Sequence, residues 1–102
     1  MKVAVDWDNT LVDSASQEWL PDAQWALGRM VRAGWKVTVL SCRASWPEGL
    51  AAITAKLDAS RLSAVDVTDV KPEADVYLDD RALRFGGDWA EVFADIAALT
   101  GG

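Results

Sequence analysis

Lys2-Val3-Ala4-Val5-Asp6-Trp7-Asp8-Asn9-Thr10-Leu11 is the stretch whose reading decides the fold. A short apolar run predicts a buried strand, and the run stops at an acid, a bulky residue and a second acid. Asn9-Thr10 follow as turn formers. On an extended chain, residues two positions apart point the same way, so Asp6 and Asp8 project together from the strand end. Two ionised carboxylates so close repel each other. A fold tolerates that where a cation or a reaction uses the charge, and a hard ion such as magnesium prefers carboxylate oxygens.

Composition sets the frame around this stretch. The 102 residues predict one domain, spanning 1–102, with a single core. A chain this size buries roughly 60–68% of its unfolded surface. Hydrophobic residues make up 51%, which argues against disorder, and the formal net charge is −6. That charge disfavours a general electrostatic grip on nucleic acid or an anionic membrane, though not recognition of a nucleic-acid end. There is no histidine, so acid–base chemistry falls to carboxylates. Cys42 is the single cysteine, which rules out an internal disulfide, fits a cytoplasmic setting and is read as a small buried residue. No signal peptide appears, and no apolar run approaches the roughly 20 residues of a membrane helix.

Outward from the first strand, residues 12–21 read as a polar turn. Pro21 and Asp22 predict the first turn of a helix with an acidic start, and Ala23, Leu27, Met30 and Val31 give its apolar face. Gly34 predicts its C-terminal cap. Residues 35–40 predict a second strand, leaving at Ser41-Cys42-Arg43. Pro47-Glu48 opens a second helix with Leu50, Ile53 and Leu57 on one side. Residues 64–67 are a weak strand candidate and 69–72 a loop. Residues 74–78 predict another strand, which ends at a second acid pair, Asp79-Asp80. Residues 82–85 predict a short edge strand before Gly86-Gly87. Asp88 predicts the N-cap of a last helix carrying Ala90, Phe93, Ile96 and Leu99.

Strands alternating with helices imply an α/β, three-layer Rossmann-like fold. The expected form is a mainly parallel sheet of about five strands with helices on both faces. Ligands bind such sheets beyond the carboxyl ends of the strands, where strand order reverses. Three polar strand exits, at Asp6-Trp7-Asp8, Ser41-Cys42-Arg43 and Asp79-Asp80, are expected on that edge, with Lys71 in the loop before the last of these strands.

These residues resemble the four signatures of the haloacid dehalogenase superfamily, mostly magnesium-dependent phosphatases. Asp6-Trp7-Asp8-Asn9-Thr10 resembles the first, Ser41 the second, Lys71 the third, and Asp79-Asp80 after Val76-Tyr77-Leu78 the fourth. The run 79–85 resembles small bacterial and phage members, whose relatives include polynucleotide-end phosphatases. The resemblance implies Asp6 as nucleophile through an aspartyl-phosphate, and Asp8 as the acid and then the base. It implies Mg2+ on Asp6, the backbone carbonyl of Asp8 and Asp79 or Asp80. Ser41 and backbone amides after the first strand would hold phosphoryl oxygens, Lys71 would neutralise charge, and Thr10 would shape the turn. Arg43 and Arg81 offer cations to a substrate anion, although a surface salt bridge is the default for each. Trp46 suits substrate stacking or a subunit contact as well as packing.

The spacing leaves no room for a cap domain. An open site suits a phosphorylated substrate of nucleotide size or larger, such as a nucleotide or polynucleotide end, or a lid supplied by a second copy in a homo-oligomer. Two other classes compete. A response-regulator receiver also combines acids, a hydroxyl and a lysine, but its lysine comes last, whereas Lys71 precedes the second acid pair. A non-catalytic domain of the same fold would bind magnesium, a phosphoryl ligand or a protein partner without turnover.

Overall fold

The apolar run after Met1 forms β1 (Lys2–Asp6), with its interior residues buried. The computed structural model describes residues 1–99. After β1 come α1 (Ala23–Arg32), β2 (Lys36–Leu40), a 3-10 helix (Cys42–Ser45), α2 (Pro47–Ala59), β3 (Asp66–Thr68), β4 (Val76–Leu78) and α3 (Trp89–Leu99). The strands form one parallel sheet in the order β3-β2-β1-β4. The chain reverses its direction of travel across the sheet at β1, whose neighbours are β2 and β4. Register pairs Asp6 with Leu40 and Val5 with Leu78. The polar residues following β2 and β4 therefore flank the end of β1.

Odd-numbered residues of the central strands form the core. Val3, Val5 and Trp7 join Val37 and Val39 against Ala23 and Leu27 of α1 and Ile53 and Leu57 of α2. Side chains of one parity share a face, so α1 and α2 cover the same side of the sheet. Full burial of each of these large apolar side chains contributes about 1.5–3 kcal/mol. Trp7 thus turns away from the two acids it separates and meets Trp19 edge-on at 5.4 Å. Gly34, at φ 81°, closes α1 with two carbonyl bonds: its N–H donates to Val31 O and that of Trp35 to Met30 O. Pro47 starts α2, where its missing N–H costs nothing.

Four expectations from sequence are corrected. Among the described residues the sheet has four strands rather than about five, because residues 82–85 pair with no neighbour and the Phe85 ring instead stacks on Trp89 at 4.8 Å. Helices do not cover both faces: the second face is crossed by the segment after β3, and α3 buries no residue. Helix α1 starts at Ala23, after Pro21 and Asp22. Asp22 takes a left-handed φ of 67° and its side chain caps nothing. Cys42 is exposed, since it opens the 3-10 helix instead of pointing into the core.

Gly49, in the first turn of α2, packs against the 3-10 helix so closely that an added Cβ would fall on the Arg43 carbonyl oxygen. Backbone cannot yield as a flexible side chain does, so Gly49→Ala is expected to destabilise the protein by about 1–3 kcal/mol. Urea denaturation measures this, and an unchanged midpoint would contradict the packing described.

Candidate functional site

The sheet register assembles the site. Asp6 ends β1 on the face opposite the core, and Asp79 and Asp80 immediately follow β4. Each of these three residues places a carboxylate oxygen within 4.8 Å of the others. Asp6 is half-buried and the other two are exposed. Burial is the main reason the Asp6 carboxyl is held above its usual range, followed by the Asp79 charge, with smaller contributions from Asp80 and Asp8. The Trp7 amide beside it offsets part of this. The donor set is three carboxylates open to solvent on one side. Its oxygen donors are of the kind that hold a hard divalent cation.

Asp8 is outside this trio and is engaged by other side chains. Arg43 Nε donates to both of its oxygens, at 2.9 and 3.1 Å, and Gln17 Nε2 donates to Oδ1 at 2.7 Å. Gln17 also accepts a bond from Trp7 Nε1 at 2.9 Å, so one amide ties the core indole to the site carboxylate. Gln17 has a left-handed φ of 58° in a turn held by Asp13, which accepts from the amides of Ala15 and Ser16. Nothing in the sequence around Gln17 marks it, because its role depends on a contact across nine positions. Arg43, read as a contact for a substrate anion, is in this structure the partner of Asp8.

Lys71 shares a cavity of about 310 Å³ with Asp6 and Asp79, lined otherwise by Ala4, Leu40, Tyr77, Leu78 and Ala82. Its ammonium lies over the Tyr77 ring, 4.6 Å from the centroid. The Tyr77 hydroxyl donates to Pro72 O at 2.6 Å and accepts from the Ala74 amide, pinning the loop that carries Lys71. Tyr77 is a second positioning residue hidden from sequence reading, where it looks like an ordinary strand aromatic.

The remaining candidates fall around this centre. Ser41 is buried, and its Oγ accepts from the Arg43 amide, so it fixes the 3-10 turn that carries Arg43. The Thr10 hydroxyl is buried on the α1 side of the sheet and has no hydrogen-bond partner among the described residues. The amides of residues 9–12 are engaged within the turn, with Leu11 and Val12 both donating to Trp7 O. Trp46 is 59% exposed at the start of α2 and packs in no core. Arg81 is exposed and pairs with Asp80 at 3.6 Å. No helix among the described residues is long and apolar enough to cross a membrane.

No family model matches this sequence, and no curated protein matches it. A solved structure of a conserved protein from Bacteroides thetaiotaomicron is similar, with a TM-score of 0.69 and 24% identity over 97% of this chain and 91% of that one. At that identity the likeness concerns the fold.

Proposed function

We propose that this protein is a magnesium-dependent phosphohydrolase of haloacid dehalogenase type, acting on a phosphomonoester through a covalent adduct on Asp6. The observation that carries the reading is the meeting of Asp6, Asp79 and Asp80 at the point where strand order reverses, with Lys71 lining the same cavity. A half-buried acid such as Asp6, set beside two further carboxylates, is costly unless it serves a cation or a reaction.

In the first step an Asp6 oxygen attacks phosphorus, and the bond from phosphorus to the ester oxygen breaks. The electron pair leaves on that oxygen, which takes a proton from Asp8. In the second step Asp8 takes a proton from water as the water oxygen attacks phosphorus, and the bond to Asp6 breaks to release inorganic phosphate. Lys71 supplies positive charge beside the phosphoryl group, and Tyr77 holds the Lys71 loop in place. Magnesium held by Asp6, Asp79 and Asp80 would screen repulsion between the nucleophile and the anionic substrate.

No inserted domain covers the site: residues 11–22 form turns and residues 42–75 hold only the 3-10 helix, α2, β3 and loops. That openness, with exposed Trp46 nearby in sequence, favours a nucleotide or a polynucleotide end over a small sugar phosphate. The net charge of −6 favours the shorter of the two. One observation favours a second reading, a domain that binds a cation or phosphoryl ligand without turnover: Asp8 is already held by Arg43 and Gln17. Phosphate release from an aryl phosphate and from a panel of nucleotides, end-phosphorylated oligonucleotides and sugar phosphates separates them. Magnesium-dependent release with preference for nucleotides supports hydrolysis. Magnesium binding with no release from any substrate supports the second reading.

A further inference from the structure

The chain exposes more surface than its mass warrants. A compact 11.1 kDa monomer is expected to expose about 5,700 Å², whereas this chain exposes 7056 Å². The radius of gyration, 15.3 Å, likewise exceeds the about 12.8 Å expected of a domain this long. Two elements among the described residues account for a large part of the exposed apolar surface. Helix α3 carries Trp89, Phe93, Ile96 and Leu99 on one stripe, each 49–75% exposed. At the other end of the connection, all three residues of β4 are exposed, and β4 is an edge strand with a free side. The chain therefore holds an apolar helix without a sheet and a sheet flank without a helix.

We propose that α3 of one copy docks on the open flank of β4 in a second copy, and reciprocally, to form a two-fold dimer. Donor and acceptor lie on the same chain, so one exchange satisfies both surfaces twice and closes. The area agrees: the excess of about 1,400 Å² per chain exceeds the about 800 Å² each partner contributes to a standard stable interface. The contacts at the start of the helix are local: Asp88 Oδ1 caps its first turn, and the Phe85 ring meets Trp89. The acceptor includes Tyr77, Leu78 and Ala82, which also line the cavity holding Asp6, Lys71 and Asp79. The exchanged helix thus supplies a wall to the open site, and the proposal stands whatever that site does.

Light scattering on the purified full chain tests it. The expected mass is twice 11.1 kDa, falling to the monomer value in Phe93→Asp/Ile96→Asp with the far-ultraviolet dichroism of the sheet retained. A monomeric wild type across a dilution series overturns the proposal, as does a double variant that remains dimeric. Cross-linking stands apart from the folding of that variant. In a Cys42→Ser background, chains carrying only Ile96→Cys are mixed with chains carrying only Ala82→Cys. A disulfide joining the two kinds of chain is expected. Disulfides confined to pairs of Ile96→Cys chains would mean that helix packs on helix, and would overturn the exchange.

Discussion

Asp6→Asn is expected to abolish turnover while stabilising the metal-free fold. The amide lacks the anionic oxygen that attacks phosphorus, and loss of a nucleophile that works as a unit with its acid costs roughly 10³-fold or more in rate. Stability moves the other way. Burial and the neighbouring acids raise the Asp6 carboxyl above its ordinary value of 3.8, so the folded state binds this proton more tightly than the unfolded state does. The contribution to stability therefore falls as pH rises from 3.8 through the folded value, and at neutral pH the ionised group is a net cost. Asparagine removes that cost. Because the carboxylate is partly solvated the gain is small, a rise in Tm of up to about 2 °C in chelator at pH 7, shrinking toward pH 4. A variant that lost both activity and stability would show that Asp6 is structural, and a variant with normal turnover would refute its role as nucleophile.

Magnesium is expected to produce the second large effect. A cation that binds only the folded state adds about 2.7 kcal/mol at a hundredfold excess over its Kd. For a domain of this size that is a rise in Tm on the order of 10 °C. EDTA should remove both this increment and any phosphatase activity, and added magnesium should restore both. Asp79→Asn and Asp80→Asn should each reduce the increment, since a carboxylate oxygen of each lies within 4.8 Å of one on Asp6. A Tm indifferent to millimolar magnesium would count against a cation site at these acids.

Much of this arrangement is legible in the sequence because its signals are local. The strand at Lys2–Asp6, the stop at Gly34, the start at Pro47 and the cap at Asp88 each follow from residues within a turn of one another. The acids at the ends of β1 and β4 come together because parallel pairing brings strand exits to one edge. What escaped depends on distant partners. Residues 82–85 have the alternation of a strand, but a strand exists only with a neighbour to pair with, and Phe85 finds Trp89 first. The partners of Asp8 are Arg43, 35 positions away, and Gln17 in an unusual turn. The apolar stripe of α3 is plain in the sequence, yet nothing in its periodicity says which surface it meets.

The central claim is that Asp6 becomes covalently phosphorylated, and a beryllium fluoride adduct is its most direct measure. Fluorine NMR of the protein with magnesium and beryllium fluoride should show a bound signal in the wild-type chain that is absent from Asp6→Asn and lost on addition of EDTA. An adduct that persists in Asp6→Asn, or turnover by a wild-type chain that forms no adduct under any magnesium concentration, would contradict the account.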